Sequence, residues 1–321
     1  MHSLKKILIT GGLGYVGGRI ADDLKRSRPD IPVVLGSYRK YSSPPEWARG
    51  FEVVPFSLED PESIDRALEG VSDVIHLAAL DEKAMLSNPE WAWRVKALGS
   101  HRLLSACHRL GVSRFVYFST FHVYGPKAEG VVSEASPARA SHPYAATHRA
   151  TEDMVRFFSD YHGMQATTFR LSNGYGYAMD SDINRWNLVF NDICRQAVLT
   201  KKIVLNSNGM QSRDFIALGD VARAVRHFLF NIPDNWGDGL YNLGGECSLS
   251  ILSAAQRVAE VYEKIYREPI LSIEANKQDK TPVKEAVVYD IGKLKEAGFM
   301  LEGDMDHEIE KTLKLCETLK A

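Results

Sequence analysis

The chain has 321 residues, 45% of them hydrophobic and 25% charged, with a formal net charge of −2. This is globular composition, and the near-even balance excludes the strongly basic surface that nucleic acid or an anionic membrane would call for. No apolar run reaches the roughly 20 residues that span a bilayer. Lys5 and Lys6 lead straight into an apolar strand rather than a signal peptide, so a cytoplasmic location is expected.

Residues 7–17 read Ile-Leu-Ile-Thr-Gly-Gly-Leu-Gly-Tyr-Val-Gly. An apolar run stops at glycines, and an amphipathic stretch from Gly18 to Arg26 follows. Gly12-x-Gly14-x-x-Gly17 satisfies the dinucleotide fingerprint in its strand–turn–helix setting. Glycines let the backbone turn tightly and approach a pyrophosphate, while the helix start supplies N–H groups. Gly11, Gly12, Gly14 and Gly17, with Tyr15 and Val16 in the same turn, are therefore the expected cofactor cradle.

Strands are expected at Lys6–Thr10, Pro32–Leu35, Glu52–Pro55, Val74–Leu77, Phe115–Ser119 and Ala166–Arg170. Helices are expected between them at Gly14–Arg26, Pro61–Leu68, Pro89–Leu110 and Tyr144–Tyr161. Strands alternating with helices specify an α/β fold, a Rossmann-type doubly wound parallel sheet covered on both faces. After Arg170 the pattern loosens. Ser172–Asn184 reads as a loop, and helices follow at Arg185–Thr200, Asp220–Asn231, Ser250–Tyr266 and Gly303–Leu319. Strands are expected there at Ile203–Leu205, Leu240–Leu243 and Ile270–Ile273. The domain reading is a dinucleotide-binding domain over 1–171, with about 203–231 returning to it, and a smaller C-terminal α/β substrate lobe over 172–202 and 232–321. Cys107, Cys194, Cys247 and Cys316 lie far apart with no metal spacing, and are expected to be free thiols.

In a dinucleotide fold an Asp or Glu about 20 residues past the glycines holds the ribose 2′-hydroxyl of NAD. Here that place falls on Gly36, followed by Ser37, Tyr38, Arg39 and Lys40, while Asp30 precedes the strand. Ser37, Arg39 and Lys40 suit a 2′-phosphate through charge-assisted hydrogen bonds, which favours NADP over NAD. Solvated loop charges, with Ser37 alone on the ribose, are the alternative.

Ser119-Thr120-Phe121-His122-Val123-Tyr124-Gly125 closes the fifth strand, and Pro143-Tyr144-Ala145-Ala146-Thr147-His148 opens a long helix. With the glycine turn, these stretches resemble the extended short-chain dehydrogenase/reductases, the NAD(P)-dependent nucleotide-sugar epimerases, dehydratases and ketoreductases. His76-Leu77-Ala78-Ala79, Arg170-Leu171-Ser172-Asn173, Ser212-Arg213-Asp214-Phe215-Ile216 and Tyr241-Asn242-Leu243-Gly244 support the resemblance, which covers nearly the whole chain. It implies that Thr120 bonds the reacting sugar oxygen and that Tyr144 passes its proton. It also implies that Leu77, Ala78 and Ala79 line the cofactor, that Asn173 and Arg213 hold the sugar and diphosphate, and that the chain forms a homodimer. His122, two residues past Thr120, is a further substrate-pocket candidate. Trp91, Trp93, Phe157 and Phe158 are the apolar residues expected to be exposed on the two pairing helices.

A tyrosine with a free pKa of about 10 needs help worth about 4 kcal/mol to act near pH 7. In the family a lysine four residues later gives that help, yet here the position holds His148. The family's usual Asn after Val95 is replaced by Lys96. One reading moves the lysine charge to Lys96 and leaves His148 on the cofactor ribose. The alternative makes Lys96 a solvent-facing charge and His148 a tolerated ribose ligand. Where related dehydratases carry Asp-Glu after the Thr, this chain has Phe121-His122, which disfavours a conventional dehydratase. The expected activity is hydride transfer at a carbon of a nucleotide-sugar, a ketoreductase ahead of an NAD-dependent epimerase. A weakly catalytic cofactor-binding regulator is the non-enzymatic alternative.

Overall fold

The computed structural model describes residues 6–39, 43–78, 82–280 and 287–320. The chain divides into two compact units. The first comprises Met1–Lys127, Glu134–Leu171 and Ala222–Asn242; the second comprises Ala128–Ser133, Ser172–Val221 and Leu243–Ala321. The segment that returns to the first unit is thus 222–242, where the sequence suggested about 203–231.

The first unit carries a seven-stranded sheet. Its parallel strands run in the order Leu240–Leu243, Gln165–Leu171, Arg114–Thr120, Asp73–His76, Ile7–Thr10, Val33–Ser37 and Glu52–Pro55. The chain builds outward from Ile7–Thr10 through two neighbours on one side, then crosses to Asp73–His76 and builds outward on the other. Ile7–Thr10 and Asp73–His76 pair in register from Ile7↔Asp73 to Thr10↔His76. That reversal is the topological switch point, beyond whose strand C-termini ligands bind in open α/β sheets. Leu8, Val34, Val74, Phe115 and Tyr117 pack with Ile64, Leu68, Leu103, Cys107, Val155 and Phe158 in one core cluster. Burying each large aliphatic or aromatic side chain contributes about 1.5–3 kcal/mol, so sheet and covering helices stabilise one another.

The helix expected over Pro89–Leu110 is interrupted. Pro89–Ala92 is α-helical, capped by the Asn88 side chain, which accepts from Trp91 N–H at 3.1 Å. Trp93–Leu98 is a π-helical turn, and Gly99–Arg109 resumes the α-helix. A π turn carries an extra residue and shifts which residues face inward. Lys96 is 0% and Ala97 4% exposed, whereas Trp93 and Leu98 stand 46% and 45% exposed. The Pro143–His162 helix begins at His142, whose Nδ1 accepts from Ala145 N–H at 3.4 Å, and stops at Gly163 with φ +67°. Phe158 faces the core rather than solvent, and Trp91 is half-buried.

In the second unit the stretch read as a loop contains a strand, Asn173–Tyr175, parallel to Ser212–Ala217, which also pairs antiparallel with Ser248–Ser250. Lys202–Leu205 and Ser272–Ala275 form a second parallel pair, two residues later than the expected Ile270–Ile273. Helices Val189–Thr200, Ile251–Tyr266 and Met305–Glu317 enclose Phe190, Ile193, Val258, Ile309 and Leu313. The Asp220–Asn231 helix starts earlier, at Leu218, and ends in a π turn, His227–Asn231. The described cysteines are free thiols, and no group of His, Cys, Asp and Glu among the described residues could hold a metal. No described helix is long and apolar enough to cross a membrane.

Candidate active site

At the switch point the Ile7–Thr10 strand runs into the glycine turn. Gly11 adopts φ +72°, a conformation that side chains rarely accept. The N–H groups of Gly11 and Gly12 both donate to the Gly36 carbonyl, at 3.0 and 3.2 Å, which ties the turn to the neighbouring strand end. A Cβ at position 17 would collide with the Gly11 carbonyl oxygen and come within 2.9 Å of Gly12 Cα. The close approach of helix to turn therefore demands glycine there. The Tyr15–Ser27 helix is capped by Gly14 with no side-chain cap bond and no acid in its first turn, so neither the cap nor that turn competes with an anion for the helix end. Tyr15 is buried and Val16 half-buried beside it. This cradle fits a dinucleotide pyrophosphate.

At the second strand end, Gly36 is kept small by packing: a Cβ would sit 3.1 Å from Phe56 Cβ. A side chain there would press on Phe56 and Leu8, so packing is a second reason for a glycine at 36. Ser37 is buried, and its Oγ accepts from Arg39 N–H at 3.2 Å. Arg39 is exposed, with no carboxylate partner among the described residues. Asp30 is held by Arg28 at 2.9 Å. Lys40 and Ala79 lie outside the described residues.

Beneath the turn runs a buried polar chain that the sequence did not reveal as functional. Thr10 Oγ1 accepts the N–H groups of Leu77 and Ala78, each at 3.2 Å, and meets His76 Nδ1 at 2.8 Å. His76 Nε2 meets Ser100 Oγ at 3.0 Å, and that hydroxyl donates to the Lys96 carbonyl. Because Ser100 spends its proton on Lys96, His76 donates from Nε2 and accepts at Nδ1. Burial, reinforced by Lys96, keeps His76 neutral by holding its pKa well below the ordinary range. The one signal in sequence was a lone histidine in an otherwise apolar strand.

Lys96 is not solvent-facing. Its Nζ donates to the Ala78 carbonyl at 3.2 Å and sits 4.8 Å from the centre of the Tyr117 ring. Burial lowers its pKa to about 7. Tyr117, fully buried, places its hydroxyl 2.9 Å from His148 Nδ1. Burial, with Glu152 and Tyr144 adding to it, pushes the Tyr117 phenol well above its usual range. His148 is buried with Nε2 lacking any hydrogen-bond partner. Burial, then Lys96, His76 and His122, hold its pKa well below the ordinary value. The rings of Tyr144 and His148, one helical turn apart, lie 4.6 Å centre to centre.

Thr120 ends the fifth strand, buried, its Oγ1 accepting from His122 N–H at 3.3 Å. The exposed His122 ring meets Tyr144 edge-on at 5.9 Å and His142 at 5.8 Å. His142 also stacks on Tyr144 at 6.1 Å. The structure thus gathers Tyr144 and His148 with Tyr117 and Lys96, and surrounds Tyr144 with imidazoles. Behind them Arg170 is bound by Glu152 at 2.7 Å, and Ser119 donates to the same carboxylate. This buried pair braces the Arg114–Thr120 and Gln165–Leu171 strands against the Tyr144 helix.

Asn173 and Arg213 belong to the second unit. Asn173 Nδ2 donates to the Asp214 carbonyl at 2.9 Å. Asp214 accepts from the N–H groups of Gly245 and Cys247, and Asp220 from those of Glu302 and Gly303. Neither acid engages Arg213, which is exposed with no carboxylate partner among the described residues.

Residues 7–244 match the NAD dependent epimerase/dehydratase family. An uncharacterised UDP-glucose epimerase of Bacillus subtilis is 26% identical over 80% of this chain and 82% of that protein. The mouse dTDP-D-glucose 4,6-dehydratase is 23% identical over 81% of this chain and 74% of its own length. Among solved structures, the NAD complex of UDP-glucose 4-epimerase from Thermus thermophilus is 26% identical with a TM-score of 0.78, covering 97% of this chain and 99% of that one. The Thermotoga maritima UDP-glucose 4-epimerase with UDP-glucose shares the fold at a TM-score of 0.81 and 22% identity, covering 98% of this chain and 100% of that one. With the glycine cradle at the switch point and Tyr144 on its helix, the match over 7–244 means that this chain belongs to the NAD-dependent epimerase/dehydratase family.

Proposed function

We propose that the chain is an enzyme acting on a nucleotide-activated sugar, with Tyr144 giving or taking the proton at the sugar oxygen whose carbon exchanges hydride. Bound in the glycine cradle, a nicotinamide dinucleotide supplies or accepts that hydride. Thr120 orients the oxygen, and Asn173 and Arg213 hold the sugar and diphosphate. His122 contributes to the substrate side. The observation that carries the reading is the buried Lys96, joined through Tyr117 and His148 to Tyr144. A cation in low dielectric favours the phenolate and lowers the tyrosine's barrier to proton transfer. His148, neutral at pH 7, cannot supply that charge, and its orphaned Nε2 suits a ribose hydroxyl. Lys96→Ala and His148→Ala should each cut turnover sharply. Unchanged turnover and pH profile in Lys96→Ala would remove Lys96 from the machinery.

For the cofactor, exposed Arg39 beside Ser37, without an acid at the strand end, supports NADP and a ketoreductase. The relatives favour a second reading, an epimerase using NAD. Mass spectrometry of the copurified nucleotide decides between them. Tightly bound NAD would overturn the NADP reading. NADPH oxidation by a keto-sugar nucleotide, weakened by Arg39→Ala, would uphold it. The exposed apolar residues of the Trp93–Leu98 turn and the Tyr144 helix support a homodimer.

A further inference from the structure

We propose that Tyr117 is a positioning residue, donating its phenolic proton to His148 Nδ1 so that His148 is held as the Nε2–H tautomer, a neutral donor aimed at a hydroxyl oxygen of the bound cofactor. The inference rests on the reading of His148 as a cofactor ligand, and adds what sets that ligand's chemistry.

One rule and three observations carry it. A neutral imidazole has one N–H, and the partner of one nitrogen fixes which end bears it. Tyr117 O is 2.9 Å from His148 Nδ1 but 3.4 Å from the His148 carbonyl, and its other partner, the Thr151 hydroxyl, acts on the phenol as a donor, so the Tyr117 proton has its better acceptor in the ring. The Lys96 ammonium over the Tyr117 ring draws electron density from the phenol and strengthens O–H as a donor rather than O as an acceptor. Finally, His148 Nε2 is buried without a partner, which is costly unless something binds there. The Phe118 backbone also hydrogen-bonds the His148 ring as an acceptor, and with Nε2 unpartnered it is the competitor that would hold the opposite, Nδ1–H form; the nitrogen-15 spectrum separates the two.

With Nδ1 accepting, Nε2 donates. The group that satisfies it is an oxygen with a lone pair, such as a ribose hydroxyl, and not a donor-only group or a metal ion. Lys96 then acts twice: its charge favours the Tyr144 phenolate, and its place over Tyr117 keeps His148 in the donating form.

The test is nitrogen-15 NMR of histidine-labelled full-length protein at pH 6, where Lys96 is charged and His148 is still neutral, with His148→Gln used to assign the resonances. The expected spectrum shows His148 Nε2 pyrrole-like and Nδ1 pyridine-like. The opposite pattern overturns the proposal. Tyr117→Phe should leave a tautomer mixture and weaken cofactor binding in proportion to the Nε2–H form lost, about twofold for an even mixture. Lys96→Met, which keeps the Tyr117 hydroxyl, should shift the His148 resonances in the same direction. An unaltered His148 spectrum in both variants refutes the role of Tyr117. The spectra need no sugar substrate, so failure of the nucleotide-sugar reading would show separately, as absent turnover alongside the expected tautomer.

Discussion

Lys96 Nζ lies 4.8 Å from the centre of the Tyr117 ring, in a site from which water is excluded. The π turn makes this possible, because it rotates Lys96 inward while leaving Trp93 and Leu98 outside. A buried charge held by one carbonyl and one ring is costly, and the cost appears as a pKa near 7 instead of 10.5.

The first prediction concerns stability. Lys96 binds its proton more weakly in the folded than in the unfolded chain, so unfolding takes up protons between pH 7 and about 10.5. The penalty is full below pH 7 and is relieved as pH rises through that window. Lys96→Met should therefore be more stable than wild type at pH 6, by at least about 1 kcal/mol, and the difference should shrink towards pH 10. Thermal melts across that range check it. A constant difference would mean that Lys96 keeps an ordinary pKa.

Tyr144→Phe removes the proton donor and leaves the ring in contact with His148. Turnover should fall by about 10²–10⁴, the usual contribution of a general acid or base. Cofactor binding and the melting temperature should stay close to wild type. Single-turnover absorbance with purified variant and keto-sugar nucleotide reads the first, and fluorescence titration reads the second. A variant with normal turnover would assign the proton to another group, with His122 and His142 the nearest imidazoles.

The parts of this site that were legible in sequence are those built on local rules. The glycine turn, Thr120 at a strand end and Tyr144 at a helix start each follow from spacing of a few residues. Strand edges shifted by one or two residues for the same reason: pairing partners, and not propensity, set where Asp73–His76 begins and ends. The π turn was not legible, because an apolar pattern with helical spacing does not announce one extra residue. Nor was the role of Tyr117 or His76, since a polar residue in a buried strand gains its meaning from partners 24–66 positions away. Gly36 carries two readings at once: its packing against Phe56 explains a glycine without reference to any cofactor, a contact that spacing along the chain does not reveal.

The glycine cradle makes a sharper claim at Gly17 than at its neighbours. An added Cβ there meets backbone atoms of Gly11 and Gly12, which cannot swing away as a side chain would. Gly17→Ala should push the helix start off the turn, with a loss of cofactor affinity above about tenfold and a lowered melting temperature. Calorimetric titration with NAD and NADP measures it. Affinity equal to wild type would show that the turn relaxes without cost.

Assembly is the last prediction. Phe157 and Tyr161 stack at 5.3 Å, one turn apart on the Pro143–His162 helix, and are 45% and 78% exposed. The π turn that packs against that helix presents Trp93 and Leu98 to solvent as well. Aromatic and aliphatic groups exposed together on adjacent helices form a patch of the kind that soluble monomers rarely leave open. A two-fold axis would let this patch cover its own copy, the commonest closed symmetry. Wild-type protein should then sediment as a dimer at micromolar concentration. Phe157→Glu would bury two carboxylates across the axis and should give a folded monomer by sedimentation and circular dichroism. The buried Lys96–Tyr117–His148 group lies within one copy, so that monomer should keep its affinity for cofactor. A wild-type monomer, or a Phe157→Glu dimer, would place the interface elsewhere.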